Sequence, residues 1–154
     1  MNTEVTRIQQ LVKNSWDGRM WHGTNLQEAI KGIDADKAFR KPAAGGHNIY
    51  ELVMHLYCWR NFVNQHLAGN ADYKVIINST EDWLIEYEKS EASWNAALQL
   101  LEKSQQELVD GLLKLNDAQL PEPMHGRKFT WYDLIHGLVH HDIYHSAQIA
   151  ILKK

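Results

Sequence analysis

The C-terminal part of the chain carries a group of histidines whose spacing suits metal binding. His140, His141 and His145 lie close together in an otherwise apolar segment that has the pattern of a helix. Residues four apart on an α-helix lie on one face, so the imidazoles of His141 and His145 can reach a single ion. Two side chains do not complete the coordination shell of a metal, so another element must supply a further ligand.

The phase of this helix distinguishes two histidine pairs that both have i,i+4 spacing. At roughly 100° per residue, one arc carries the apolar stripe that must face a core, namely Trp131, Leu134, Leu138, Ile149 and Leu152. His145 lies in this arc and His141 flanks it, whereas His136 and His140 point to the opposite side. We therefore predict that His141 and His145 face inward and that His136 and His140 face outward.

The composition limits the classes of function. A chain of 154 residues normally forms one domain with a core, so we expect a single domain over residues 1–154. The net charge of −3, without a basic stripe, argues against nucleic acid as a partner. The polar start and the lack of a long apolar run argue against a signal peptide and a membrane span. The single cysteine, Cys58, fits a reducing cytosol, so we expect a cytoplasmic protein.

The periodicity of apolar residues predicts an all-α fold with four long helices, over 3–15, 48–67, 79–115 and 130–152. Ser79 or Thr80 caps the third of these helices, and Thr130, with Asp133 three residues on, caps the fourth. A short helix over 24–32 begins with a capping box at Thr24. Four long amphipathic helices with long connections favour a four-helix bundle, a fold that commonly builds metal sites from facing helices.

The second long helix offers three histidines as the missing ligand. His47 lies at the junction of loop and helix, where capping or exposure to solvent suits it better. His66 lies near the helix end, and we expect it to face solvent, as we do for His125. His55 borders the apolar stripe in the middle of the helix. By depth and phase, His55 is therefore the best third ligand.

Two segments resemble the motifs of the DinB/YfiT-like superfamily. The run from Gly46 to His55, continuing to Trp59-Arg60, looks like the second-helix motif of that family. The run from Gly137 to Ile149 resembles its fourth-helix motif, in which two histidines separated by three residues precede a glutamine. The segment at residues 21–23 resembles one branch of the family. Residues 146 and 147 depart from the family pattern, which often has a small residue and a glycine before the glutamine.

The resemblance implies a DinB-like four-helix bundle with a three-histidine site for a divalent ion. Carried over residue by residue, the ligands are His55, His141 and His145, the same three that helix phase selects. Some relatives are similar to S-transferases that use low-molecular-weight thiols, and others are regarded as metal-dependent hydrolases. The resemblance therefore implies a small-molecule substrate, and a low-molecular-weight thiol is one candidate.

Three imidazoles leave one coordination position of a zinc ion open for water or substrate, which suits thiol transfer or hydrolysis. Such a site accepts Zn²⁺, Ni²⁺ or Cu²⁺, and we expect zinc or nickel. The alternatives are a non-catalytic, stress-response bundle with a structural ion and a metal-free helical interaction module. In the last, His141 and His145 would be core-edge residues bonded to backbone or to Glu51.

Several neighbouring side chains admit more than one role. Asp142 and Gln148 could orient an imidazole through its free nitrogen, and Asp142 could equally be a charge at the helix edge. Glu51 could be a general base, an acceptor for a ligand or a residue of the helix surface. Cys58 could be a thiolate ligand or a small buried hydrophobe. His22 could lie at the mouth of the site or belong only to the N-terminal loop.

The aromatic residues suggest a substrate pocket and an interface. We expect an electrophilic substrate to lie near Trp59, Phe62 and Trp21. The third long helix, as predicted, carries more bulky aromatic side chains than one buried stripe readily uses, namely Trp83, Tyr87 and Trp94. Exposed aromatic residues commonly mark an interface, so the sequence predicts a homodimer.

Overall fold

The computed structural model of the protein describes residues 3–84 and 86–154. The described residues form six α-helices, namely α1 (Thr3–Trp16), α2 (Leu26–Ile30), α3 (Ala35–Phe39), α4 (Ile49–Leu67), α5 (Glu91–Leu112) and α6 (Trp131–Leu152). Within the described ranges there is no strand, and the only β-type pairings are two isolated bridges. The all-helical prediction is therefore confirmed. Four of the helices are long, and α3 is a short helix that the sequence pattern did not predict.

Capping boxes fix the starts of the two helices that carry the candidate ligands. At α4 the Asn48 side chain accepts from the backbone N–H of Glu51, and the Glu51 side chain accepts from the backbone of Asn48. At α6 Thr130 and Asp133 make the same reciprocal pair, as predicted. Each box satisfies two N–H groups that the helix itself leaves without partners. Both caps agree with the predicted starts of these helices.

The predicted start of the third long helix is wrong. The helix α5 begins after Ser90, which is its N-cap, and not at Ser79 or Thr80. The Ser79 hydroxyl instead accepts from the backbone of Glu81 and Asp82, which closes a turn. Residues 79–84 and 86–89 therefore lie in a connection outside any helix. The side chains of this connection, rather than those of α5, reach the candidate site.

The short helix α2 begins one residue later than predicted. Its capping box joins Asn25 to Glu28, and Thr24 is exposed outside it. Glu28 is a better partner than Gln27 because a carboxylate is favoured in the first turn by the partial positive charge of the helix N-terminus.

Each long helix packs against two of the others. The helix α4 contacts α5 and α6, and α1 contacts the same two helices from the other side. Buried apolar residues form two clusters, one that includes Leu56 and Ile149 and one that includes Phe62 and Ile135. A helix with one apolar stripe is stabilised mainly by such packing. The neighbouring positions of α4 and α6 bring their histidines face to face.

No helix in the described part of the chain combines the length and the apolar character needed to cross a bilayer.

Candidate metal centre

The three histidines singled out by the sequence converge between α4 and α6. Nε2 of His141 lies 3.0 Å from Nε2 of His55 and 3.1 Å from Nε2 of His145. Ligand atoms from the three residues all lie within 4.8 Å of one another. His55 and His145 are buried and His141 is half-buried. The structure therefore brings together the three residues that helix phase selected.

Acceptors on the far side of two rings fix which nitrogen carries the proton. Nδ1 of His55 lies 3.0 Å from the backbone oxygen of Asp82 and 2.9 Å from its Oδ1. Nδ1 of His145 lies 2.6 Å from Oε1 of Gln148. Both neighbours offer only acceptor atoms at these contacts, so each Nδ1 carries the hydrogen and donates it. Each Nε2 is then left with a bare lone pair directed toward His141.

These tautomers make the cluster fit a cation. The Nε2 atom of His141 can carry one hydrogen at most, and this hydrogen can point to His55 or to His145 but not to both. At least one contact of about 3 Å therefore joins two lone pairs, which repel each other unless a positive charge lies between them. Two imidazole nitrogens on a tetrahedral ion at about 2.0–2.1 Å would lie roughly 3.3 Å apart, close to the spacings observed. The three rings thus have the arrangement of a ligand set for a divalent ion.

The electrostatics of the cluster keep the three imidazoles neutral. Burial, followed by the repulsion that protonated His145 or His55 and the charged Arg60 would exert on a second proton, lowers the pKa of His141 to about 3. Burial also lowers the pKa of His145 to about 4, although the hydrogen bond to Gln148 opposes the shift. The pKa of His55 is lowered as well, again chiefly by burial. Neutral imidazole is the form that binds a metal, so no proton has to be displaced at neutral pH.

Asp82 and Trp83 hold His55, and sequence reasoning assigned neither residue to the site. Asp82 is buried, and its carboxylate also accepts from the indole N–H of Trp59 and from the backbone of Asn78. The Trp83 ring stacks on the His55 ring with centroids 3.8 Å apart and planes within 5° of parallel. Both residues lie in the connection that the periodicity assigned to a helix. Ser79, which closes a turn, is the sequence signal for this connection. No spacing in the chain links Asp82 or Trp83 to His55.

His47 and Glu51 form a second polar group behind Trp83. The His47 ring stacks on the other face of Trp83, 3.6 Å between centroids, and its Nδ1 lies 3.1 Å from Oε2 of Glu51. Glu51 also accepts from Lys41 and Tyr87, at 2.7 Å each. Burial would raise the pKa of Glu51, but the hydrogen bonds from Lys41, Tyr87, His47 and Asn48 together lower it.

Two interpretations of these residues are therefore wrong. Glu51 is buried, so it does not belong to the helix surface. His47 is neither the cap of α4, a role that Asn48 takes, nor a simple solvent-facing residue. Together the two residues support the connection that carries Asp82.

Asp142 and Gln148, the two predicted supports of an imidazole, have different roles. Gln148 orients His145 through Nδ1, as expected. Asp142 instead accepts from Arg60 at 2.5 Å and from the hydroxyl of Ser15, and it is fully enclosed in the core. Its alternative role as a charge at the helix edge is excluded by this burial. Asp142 therefore joins α6 to α4 and α1 without holding an imidazole in place.

The remaining candidate residues lie outside the cluster. Burial, followed by the charges of Asp82 and Glu81, raises the pKa of Cys58 to about 12, which agrees with a small buried hydrophobe and not with a thiolate ligand. His22 and Trp21 are exposed, and neither lines a cavity beside the histidines.

The prediction that His66 faces solvent is wrong. Its ring is buried against the ring of Phe62, with centroids 4.5 Å apart. His125 and His140 are exposed, as predicted, and His136 is half-buried beside Tyr132. The end of α4 is covered by the following connection, which the phase of one helix does not reveal.

The aromatic residues that suggested a dimer are not surplus on a helix face. Trp83 is held between His47 and His55, and the Tyr87 hydroxyl donates to Glu51. Trp94 is buried, and its indole N–H donates to the backbone of Ile33. These contacts remove the observation on which the homodimer rested, and the homodimer itself stays a prediction.

Two cavities are lined in part by histidines of the cluster. One, of about 400 Å³, is lined by His141 together with Trp59 and Phe62. The other, of about 430 Å³, is lined by His145 and Gln148 together with Trp83. Both volumes lie within the range of small-molecule sites. Each cavity therefore reaches one histidine of the cluster.

A comparison with known protein families identifies a match over most of the chain. The model of the DinB superfamily matches residues 20–149, which include all three histidines. The chain belongs to the DinB superfamily. No curated protein and no solved structure matches the chain.

Proposed function

We propose that the protein is a metal-dependent enzyme whose divalent ion is held by His55, His141 and His145. The observation that carries the proposal is the convergence of three neutral imidazoles whose Nε2 atoms meet without enough hydrogens to satisfy one another. Membership of the DinB superfamily supports it. The cavity that reaches His141 supports an open position for a substrate and not a closed structural shell.

The residues of the chain bind and orient. Asp82 and Gln148 hold two of the imidazoles with their Nε2 lone pairs directed inward, and Trp83 restrains the plane of His55. When bound, a divalent ion supplies a Lewis acid and lowers the pKa of a thiol or water that it coordinates. Trp59 and Phe62 provide the apolar wall against which an electrophile packs beside His141.

The proposed reactions are transfer of a low-molecular-weight thiol to an electrophile and hydrolysis. We propose zinc or nickel as the ion, because neutral imidazole suits both. We further propose that the protein is a cytoplasmic, single-domain four-helix bundle over residues 1–154 and a homodimer. It acts on small molecules and not on nucleic acid or membranes. Light scattering at micromolar concentration tests the homodimer, since a monomer mass would contradict it.

One observation favours a structural ion as the alternative. An ion in the cluster would tether α4 to α6, since His55 lies on one helix and the other two ligands on the other. In that case the protein would be a non-catalytic, stress-response bundle. The two functions differ in whether the metal-loaded protein turns over a substrate.

An activity panel tests the proposal. Tag-free protein, loaded with zinc or nickel, is mixed with cysteine, glutathione or coenzyme A and a chloronitrobenzene acceptor, and separately with ester and amide substrates. We expect turnover that requires the metal, that is lost in His141→Ala and that is retained in the matched variant His140→Ala. Metal-loaded, folded protein that is inactive in every assay would contradict the enzyme and favour the structural ion.

A further inference from the structure

The cavity beside His141 has a strongly apolar wall. It is lined by aromatic and aliphatic side chains, including Trp59, Phe62, Val75, Ile77, Phe129 and Leu134. Its volume is about 400 Å³, and a water molecule occupies about 30 Å³ in the liquid, so there is room for on the order of a dozen non-hydrogen atoms. Such a wall favours the body of an aliphatic or aromatic molecule.

Arg127 gives this apolar cavity one positive charge. Its guanidinium lies 5.4 Å from the centre of the Phe62 ring, and its Nη2 makes one long contact, 3.4 Å, with the backbone oxygen of Tyr73. Within residues 3–84 and 86–154, no carboxylate lies at ion-pairing distance from Arg127. Most of the donors of this half-buried cation are thus available to a ligand.

The acidic residue that lines the same cavity does not neutralise Arg127. Asp133 uses its Oδ2 to accept from the backbone N–H and the hydroxyl of Thr130, at 2.9 and 2.8 Å. These hydrogen bonds lower the pKa of Asp133, with the backbone bond from Thr130 contributing most. Asp133 therefore stays ionised and stabilises the start of α6. Among the described residues, the Arg127 guanidinium contacts the Phe62 ring but forms no ion pair with a carboxylate.

We propose that this cavity binds a molecule with an apolar body and one carboxylate, in which the carboxylate pairs with Arg127 and the body extends toward His141. The inference rests on the proposed function, because the three histidines define the reacting end of the cavity. A planar guanidinium matches a carboxylate through two parallel hydrogen bonds. A phosphate monoester fits less well, since its second charge would face the apolar wall.

Calorimetry with octanoate and the uncharged octanamide tests the proposal. We expect wild-type protein to bind octanoate about tenfold or more tightly than octanamide, because the amide lacks the charge. Arg127→Gln should remove this preference and leave octanamide binding unchanged. Lys128→Gln is the matched control, since Lys128 is the next residue, is exposed and does not line the cavity. It should behave as wild type.

A second variant tests the location of the ligand. Gly137 lines the cavity, and a Cβ at this position would meet no atom within 4 Å. Gly137→Leu should therefore fold, with better helix propensity than glycine, and should fill the cavity and abolish binding of both ligands. Unchanged octanoate binding in Arg127→Gln or in Gly137→Leu would overturn the proposal, as would equal affinity of wild type for both ligands.

The same titrations, run with and without metal, separate this inference from the proposed function. If the protein fails to retain added zinc or nickel but still binds octanoate in a way that depends on Arg127, the result would support the carboxylate site and contradict the enzyme. Tight metal binding and thiol transfer without any preference for octanoate would support the enzyme and contradict the carboxylate site.

Discussion

Nε2 of His55 on α4 and Nε2 of His141 on α6 lie 3.0 Å apart, although 86 positions separate the two residues in the chain. The Nδ1 hydrogen of His55 is used by Asp82, so its Nε2 atom is an acceptor. His141 in turn faces His145 on its own helix, whose Nε2 atom is an acceptor for the same reason. This arrangement of neutral rings is the basis of the proposed metal site.

The acceptors behind the imidazoles should contribute to metal affinity. We expect Asp82→Ala and Gln148→Ala each to weaken zinc binding about 10- to 100-fold, because each removes a side-chain acceptor that orients one ligand. Competition with a chromophoric chelator measures the affinity. Asp72→Ala, in the loop after α4, is a control for loss of one negative charge and should bind as wild type. Wild-type affinity in both Asp82 and Gln148 variants would contradict the role of these acceptors.

The depressed pKa values of the cluster predict how acid affects the metal-free protein. In the unfolded chain a histidine titrates near 6.5, whereas the pKa of His141 is about 3 and that of His145 about 4 in the fold. Below pH 6.5 the unfolded state therefore binds protons that the folded state does not. The free energy of unfolding should fall as the pH is lowered from 6.5 toward 4.

Urea denaturation at a series of pH values checks this prediction. His141→Ala should show a shallower decline than wild type, because one depressed group is removed, whereas His140→Ala should decline as wild type. A stability of the metal-free protein that rises in this range would contradict the neutral cluster.

Removal of the ion should lower the melting temperature without unfolding the protein. An ion bound only by the folded state at a hundred times its dissociation constant adds about 2.7 kcal/mol, which corresponds to roughly 5–10 °C for a chain of this size. The two apolar clusters do not include the ligands, so helical circular dichroism should persist after chelation. Complete loss of helicity would indicate a site that drives folding and would favour the structural ion.

The buried pair of Arg60 and Asp142 should matter for stability and little for metal binding. Removal of one partner leaves an uncompensated buried charge, so Arg60→Met should destabilise the protein by about 3–5 kcal/mol. The double variant Arg60→Met with Asp142→Leu should recover much of this loss. Denaturation and chelator competition measure the two effects. A large loss of metal affinity in the folded double variant would show that Asp142 positions a ligand after all.

The predictable part of the site is the part that helical periodicity controls. On α4 and α6 a period of 3.6 residues fixes which face each imidazole occupies, so His55, His141 and His145 could be selected without a partner structure. The same local rules located the cap at Thr130, which depends only on a residue three positions further on.

The part that could not be predicted lies in the connection before α5. Asp82 and Trp83 reach His55 from a loop without periodicity, and their contacts depend on how the loop packs against α4. The spacing of Trp83 and Tyr87 in this segment suggested a helix. The prediction failed because packing, and not helical phase, sets the positions of these two residues. The role of Arg60 could not be predicted for a related reason, since its partner Asp142 lies on another helix.

Metal analysis of protein purified without a histidine tag tests the central claim most directly. After incubation with zinc or nickel and gel filtration, mass spectrometry should find about one divalent ion per chain, as a single three-imidazole site requires. His55→Ala, His141→Ala and His145→Ala should each retain almost none, while His136→Ala and His140→Ala should match wild type. Wild-type protein that retains no metal, or equal losses from His136→Ala and His140→Ala, would contradict the account.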